Sequence, residues 1–436
     1  MSGTGVGFAG IGLVLVLLAL RVPIGVALGL VSLTGIALLR DVSVAVGTLR
    51  SIPYDFSAGW ELSAIPMFIL MGSVMHNSGI SSHLFKAARV WLGRLPGGLA
   101  VATNFACAGF AAASGSSVAT SATMGRIAIP EMLKQGYDKA LATGVVASAG
   151  TLGALIPPSI LFILYGIFAE QSITRLLIAG VLPGLLTAFV YAAMILIRCK
   201  LNPALAPATT EIVPFADKVR SLGPVWPMLI LILGIIGGLY SGAVTPTEAG
   251  AFGASLAFII VFSQGELTWK IVKASVIEAA SATSRLLFVA VGAILLSHFM
   301  ALAGVPTYMG NLMESWSLDP LLLVIGTSLI YLVLGMFLDP LGILLLTLPI
   351  LLPMFERLQL DLIWLGVLVV KYLEIGLLTP PVGFQVYVVK SVVGDDIPLE
   401  TIFRGVGWFL ACEVLIMTLL IAFPEISLYL PNLMNE

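Results

Sequence analysis

The chain has 436 residues, of which 59% are hydrophobic and 10% charged, with a mean hydropathy of +1.08 and a formal net charge of −2. Soluble domains carry about a quarter of their residues charged, so this is an integral membrane protein whose recurrent long apolar runs span the bilayer as helices rather than barrel strands. No basic block suits nucleic acid, and three scattered cysteines (Cys107, Cys199, Cys412) with three histidines give no disulfide framework, no transition-metal spacing and no nucleophile–base set for an enzyme.

The N-terminus lacks a positive n-region and a cleavage site, so the first apolar run is expected to be a retained helix. Apolar segments at 7–20 and 22–39 are parted by Arg21, Val22 and Pro23, and a polar connection, 40–59, leads to segment 60–78. Residues 79–96, with Lys86, Arg89 and Arg94, predict a short amphipathic helix. Two apolar arms follow, 97–113 and 118–133, joined by Ser114-Gly115-Ser116-Ser117. Each is about one span long or less, which predicts a hairpin that enters the membrane and turns back. A helix over 139–168 is interrupted at Gly150–Pro158, and segment 174–197 closes the half.

The polar stretch 198–223 contains Arg198, Lys200, Glu211, Asp217, Lys218 and Arg220 and links the halves. Segments 224–240, 243–263 and 274–302 then repeat the opening three. Residues 303–317 match the amphipathic connector. A second hairpin over 318–357 has Asp339-Pro340-Leu341-Gly342 at its tip, a second broken helix over 361–393 is interrupted at Gly376–Pro381, and segment 400–423 ends the chain.

The repeat is quantitative. Pro130 and Pro157 are 27 positions apart, and so are Pro353 and Pro380; at one offset of 223, Pro23 falls on Pro246, Asp138 on Asp361, Gly153 on Gly376, Leu155 on Leu378 and Pro158 on Pro381. The expected domains are therefore a first repeat at 1–198 (hairpin 97–133, broken helix 139–168), a cytoplasmic linker at 199–223, and a second repeat at 224–436 (hairpin 318–357, broken helix 361–393). With a broken helix counted once and a hairpin not at all, each half crosses five times. Five is odd, so the halves are inverted. Placing 79–96, 134–139, 198–223 and 264–273 on one side gathers eleven lysines and arginines there, which the positive-inside rule makes the cytoplasm. Both termini are then periplasmic.

Hairpin tips and helix breaks leave backbone carbonyls and amides without intrahelical partners. In hydrocarbon each would cost several kcal/mol, so they must be buried in protein or line a wet cavity. Such carbonyls suit a hard cation, and helix N-termini suit an anion. Glycine permits close approach, and the proline pairs at 157–158 and 380–381 remove amide donors. The bland alternatives are close helix packing for the small residues, a ligand-free kink at each proline pair, and an N-cap role for Asp339. Lys371 and Glu374, at i,i+3, read as a structural ion pair ahead of a proton relay. Trp60, Trp91, Trp269, Trp316 and Trp408 fall near segment ends and read as interfacial anchors.

The run A-S-G-S-S-V-A-T-S-A-T-M-G, with I-P-E-M, G-Y-D and G-T-L-G-A-L-I-P-P-S after it, closely resembles the large membrane subunit of TRAP transporters (tripartite ATP-independent periplasmic transporters). L-G-M-F-L-D and G-L-L-T-P-P-V-G are similar to the matching second-half motifs, and the likeness covers essentially the whole chain. The resemblance implies an all-α polytopic membrane protein with two inverted-topology repeats, each holding a re-entrant hairpin and a broken helix, in an elevator-type ion-transporter-superfamily fold. It implies a bacterial or archaeal inner-membrane, sodium-driven importer of an organic acid such as a C4-dicarboxylate, sialic acid, a sugar acid or a 2-oxo acid. Its partners would be a small four-helix membrane subunit, expected as a separate chain, and a periplasmic substrate-binding protein. Carried over, the first Na+ site would use Ser114, Gly115, Ser116 or Ser117 with Gly150, Gly153, Leu155 and Pro157. The second would use Asp339 and Gly342 with Gly376, Thr379 and Pro380. Substrate would lie near Ser114, Ser159 and Asp339, with Lys371 as a further carboxylate partner. A stand-alone sodium/divalent-anion symporter is the alternative, and a channel a more distant one.

Overall fold

A computed structural model describes residues 2–207, 213–316 and 319–434, and the described residues form helices with no strand. In chain order the first half contains α1 (Gly3–Ala19), α2 (Ile24–Leu39), α3 (Val42–Ser57), α4 (Ala64–Asn77), α5 (Ser81–Leu92), α6 (Gly98–Ser114), α7 (Ser117–Lys134), α8 (Lys139–Gly150), α9 (Leu152–Leu155), α10 (Ile160–Phe168), α11 (Ile173–Ala179) and α12 (Val181–Leu201). The remainder contains α13 (Phe215–Leu222), α14 (Trp226–Tyr240), α15 (Pro246–Ser263), α16 (Trp269–Ala303), α17 (Val305–Trp316), α18 (Pro320–Gly335), α19 (Pro340–Arg357), α20 (Leu362–Leu378), α21 (Phe384–Val393), α22 (Leu399–Ala422) and α23 (Glu425–Asn432).

Several boundaries differ from the sequence expectation, each for a local reason. The connection 40–59 is mostly helix: Asp41 caps α3 by accepting from the Ser43 amide at 3.1 Å, and α3 meets the span containing α4 at 56°. α16 runs 35 residues, because Thr268 accepts from the Ile271 amide and starts it earlier than expected. The second broken helix does not open at Gly376. α20 continues to Leu378, and the break spans 379–383. The residue before a proline is driven out of the α region, and Thr379 sits at φ −79°, ψ 132° before Pro380. Part of the linker is helical (α13), and α23 extends beyond the last expected segment. Residues 208–212 of the linker, with Glu211, and Leu318 at the start of the second hairpin lie outside the described residues, as does the Trp316 side chain.

Among the described residues, five helical stretches are long and apolar enough to span alone: 173–201, α15, α16, α19 and α22. Counting three bent pairs as single spans raises this to eight. α19 was expected as a hairpin arm, yet its 18 residues reach span length despite Pro349 and Pro353 inside it. Leu38, Leu233, Phe262, Phe189 and Val414 point outward, each at least 60% exposed, as side chains facing lipid do. Trp60, Trp91, Trp269 and Trp408 are also well exposed.

Two apolar cores organise the helices. The larger gathers the hairpins, the broken helices, α12 and α22. The smaller joins α1, α2 and α16 through Val14, Leu28, Val31, Leu296 and Phe299, with Leu345 and Leu346 of α19. Small residues set the closest crossings. At the α8–α22 contact a Cβ on Gly405 would lie 1.9 Å from the Ala140 carbonyl oxygen, so only glycine fits there.

Candidate functional site

The first hairpin turns in two residues. α6 ends at Ser114, Gly115 takes φ +60°, and Ser116 caps α7 by accepting from the Ala119 amide at 3.4 Å. Gly115 is required twice over: its φ is left-handed, and an added Cβ would lie 2.3 Å from the Pro158 carbonyl oxygen. The tip therefore rests directly on the broken helix. Gly153 also presses on it, since a Cβ there would lie 2.6 Å from the Ser116 carbonyl and 2.8 Å from the Ser117 nitrogen. The tip hydroxyls are knit together: Ser114 Oγ and Thr120 Oγ1 are 2.9 Å apart, and Thr120 donates to the Ser116 carbonyl at 2.8 Å.

Within the break, the carbonyls of Gly153 and Ala154 would accept from residues 157 and 158, which are prolines without an N–H. The Ser159 hydroxyl replaces one missing donor by bonding the Ala154 carbonyl, and the same oxygen accepts from the Phe162 amide at 3.4 Å to cap α10. The Gly153 carbonyl has no such i+4 donor. The peptide bonds Pro157–Pro158 and Pro380–Pro381 are both cis.

The second tip is built differently. Asp339 caps α19, its Oδ2 accepting from the Gly342 amide at 3.0 Å, so the expected capping role is present. Gly342 packs against Ile24 of α2, and Gly376 against Gly335 at the end of α18, where a Cβ would lie 2.7 Å from the opposing Cα. The Gly376 carbonyl accepts from the Thr379 amide at 3.2 Å, and the Thr379 hydroxyl donates back to the Ile375 carbonyl at 2.7 Å.

The two tips share one cavity of about 310 Å³. Ser114–Ala119 line it from the first, Asp339–Leu341 from the second, and His76, Glu278 and Phe384 complete its polar and aromatic wall. His76 Nδ1 lies 2.5 Å from Thr123 Oγ1. Of the residues expected to touch substrate, Ser114 and Asp339 line this space and two do not. Ser159 is fully buried and occupied as a cap. Lys371 is fully buried between two carboxylates, away from the cavity lining. Gly150, Gly153, Leu155 and Pro157 lie behind the first tip, and Gly342, Gly376, Thr379 and Pro380 stay outside the lining.

The comparisons with known proteins agree with this architecture. Residues 11–426 match the family model described as the tripartite ATP-independent periplasmic transporter, DctM component. The chain belongs to the DctM family of TRAP large permeases. It is 35% identical to the C4-dicarboxylate TRAP transporter large permease protein DctM of Pseudomonas aeruginosa, over 87% of this chain and 88% of that protein. It is 31% identical to the sialic acid TRAP transporter permease protein SiaT of Haemophilus influenzae, over 96% of this chain and 67% of that one. The crystal structure of the Alcanivorax borkumensis YdaH transporter, which has an unusual topology, superposes with a TM-score of 0.63 over 88% of this chain and 90% of that one, at 14% identity. This permease is thus a multi-pass inner-membrane transport subunit of all-helical fold.

The permease also carries polar groups that sequence reasoning missed. Gln385, on α21 just after the second break, donates to the Ser117 carbonyl at 2.8 Å and bonds the Ser121 hydroxyl, which in turn donates to the Val146 carbonyl at 3.1 Å. Gly150 exists to admit this pair, since a Cβ there would collide with Ser121 Oγ and Gln385 Nε2. The second broken helix thus reaches the first tip through one amide. An amide just past a proline break was the available signal. Glu413 on α22 is the other omission: it bonds both Lys371 and Tyr191, and an acid in a 24-residue apolar helix is itself conspicuous.

Proposed function

We propose that this permease imports an organic acid by sodium-coupled secondary transport, with the acid bound in the cavity between the two hairpin tips. What carries the proposal is the convergence of a serine-lined tip and an aspartate-bearing tip on one cavity, each backed by a proline-broken helix. The first sodium ion sits between Ser114–Ser117 and the Gly150–Pro157 break, where the Gly153 carbonyl lacks its helical donor. The second sits by Asp339 and Gly342 with the break after Gly376, and is held more through the Asp339 carboxylate because the Gly376 carbonyl is already engaged. A negatively charged substrate and a sodium ion at each tip compensate one another in a low-dielectric cavity, which links their binding.

The repeats 1–198 and 224–436 are inverted, the termini are periplasmic, and 199–223 is cytoplasmic. The hairpins and broken helices move together as an elevator, and α5 and α17 are the arms that join them to the scaffold. Support for α5 in that role is its Arg89–Glu131 ion pair to α7 at 2.5 Å. A small membrane subunit binds the scaffold, and a periplasmic binding protein delivers the acid. The relatives named for C4-dicarboxylates and sialic acid support an organic acid as the cargo.

The test is counterflow in proteoliposomes holding the permease with its small subunit and cognate binding protein, run with a panel of labelled C4-dicarboxylates, sialic acid, sugar acids and 2-oxo acids. Exchange of one acid that requires sodium supports the proposal. Sodium-independent exchange, or flux without counterflow, contradicts it.

A further inference from the structure

The strongest charge cluster away from the cavity lies where α12, α20 and α22 meet. Lys371 and Glu374 of α20, Glu413 of α22 and Tyr191 of α12 are each no more than 1% exposed. The Lys371 ammonium is 3.2 Å from Glu374 Oε2 and 2.8 Å from Glu413 Oε1, and the Tyr191 hydroxyl donates to Glu413 Oε1. The remaining carboxyl oxygens, Glu374 Oε1 and Glu413 Oε2, are buried without a hydrogen-bond partner. Two carboxyl groups therefore face one ammonium. With both ionised, the cluster would hold an uncompensated negative charge inside the membrane, and buried groups in that position neutralise instead.

We propose that Lys371, Glu374 and Glu413 form a proton-binding site, in which one proton is held on one of the two carboxyl groups. The cluster is then neutral: one ammonium, one carboxylate, one carboxylic acid. Among the described residues, no second cation bonds these two carboxyl groups. On the helices packed against α20, Arg175 of α11 bonds Asn432, and Lys390 of α21 bonds the Gly394 and Ile397 carbonyls. Tyr165 of α10 donates to the Leu362 carbonyl, and Tyr331 of α18 lies 2.6 Å from the Thr347 hydroxyl and stacks on Tyr372. Glu356 and Arg357 stand at the end of α19, Glu425 at the start of α23, and Glu400 and Arg404 in the first two turns of α22, beside which Cys412 is the neighbour of Glu413. α9 has no titratable side chain. Of the helices packed on α22, α8 has only Lys139, which bonds the Asp396 carbonyl, and Arg198 of α12 stacks on Trp408.

A proton fits this site and sodium does not. Sodium replaces its water shell with several oxygens at once. Here α20 and α22 run unbroken past residues 371, 374 and 413, so their carbonyls are committed to helical bonds, and two carboxyl oxygens remain. A proton needs one.

The experiment is infrared difference spectroscopy of the purified permease in lipid nanodiscs across pH, reading the deuterium-sensitive carbonyl stretch of protonated carboxyl groups. The wild type is expected to show a band that vanishes at alkaline pH. Glu374→Gln and Glu413→Gln should each abolish it, because the remaining carboxylate balances Lys371, while both variants keep the wild-type elution profile. Lys371→Met should roughly double it, since both carboxyls then carry protons; if that variant does not fold, the two glutamine variants decide alone. A band that persists in both glutamine variants, or no such band in the wild type, overturns the proposal. So does a band removed by sodium at constant pH, which would assign the cluster to a metal cation.

Discussion

Gly153→Ala isolates the contact between the first tip and the first break. The added methyl would begin 2.6 Å from the Ser116 carbonyl, where ordinary contact begins at 3.4 Å, so the tip must retreat by the difference, about 0.8 Å. The obstacle is backbone on both sides and cannot swing away as a side-chain end would. Overpacking of this kind costs about 1–3 kcal/mol. If the strain falls on the ion-bound geometry, every 1.4 kcal/mol weakens sodium about tenfold, so the half-saturating sodium concentration should rise between about fivefold and more than a hundredfold. The readout needs no knowledge of the substrate: the melting temperature of the purified permease is followed against sodium chloride, with choline chloride at matched ionic strength, because a ligand that binds the folded state raises it. Gly12→Ala is the control, since a Cβ there meets nothing within 4 Å. Gly153→Val should abolish the sodium response. A Gly153→Ala protein with the wild-type sodium midpoint would refute a cation site at this contact.

Gln385→Leu removes the amide that bonds the Ser117 carbonyl and the Ser121 hydroxyl, and should lower stability by about 1–3 kcal/mol and weaken sodium, both visible in the same melting series. Asp339→Asn retains an N-cap for α19 while removing the charge at the second tip, so it should keep the melting temperature in choline but lose sodium-driven uptake. Glu413→Leu strands the Tyr191 hydroxyl and removes one of the two partners of Lys371, and should destabilise the fold by several kcal/mol, whereas Glu413→Gln should cost much less; equal melting temperatures would contradict this. A disulfide between cysteines placed at Ser73 on α4 and Val118 on the first hairpin, which both line the cavity, with the three native cysteines replaced, should stop uptake until reduced; undiminished uptake while cross-linked would argue against relative movement.

The helix–tip–helix segments and proline breaks were legible because their signals are local. Gly115, the serines and the proline pairs dictate backbone conformation within a few residues, and the 223-residue offset paired the two copies. The second break was misplaced by three residues because glycine only permits a break, whereas the residue before Pro380 is driven into one. α3 was missed because its charged residues read as a loop, though Asp41 is its cap. That Ser159 and Lys371 lie away from the cavity lining was hidden for another reason. Their partners, the Ala154 carbonyl and Glu413, are fixed by the break geometry and by a helix 42 positions away, and neither is visible in a linear motif. Gln385 lies 268 positions from the carbonyl it bonds, so only the fold brings the second broken helix to the first tip.

The central claim is that sodium bound at the two tips drives the acid held between them. Its most direct test is uptake of the identified acid into proteoliposomes containing the permease with its membrane and periplasmic partners, under an inward sodium gradient and with the gradient collapsed. Accumulation above the external concentration under the gradient, lost when it is collapsed and lost in Asp339→Asn, is the predicted result. Accumulation that persists without a sodium gradient, or in Asp339→Asn at the wild-type rate, would contradict the account.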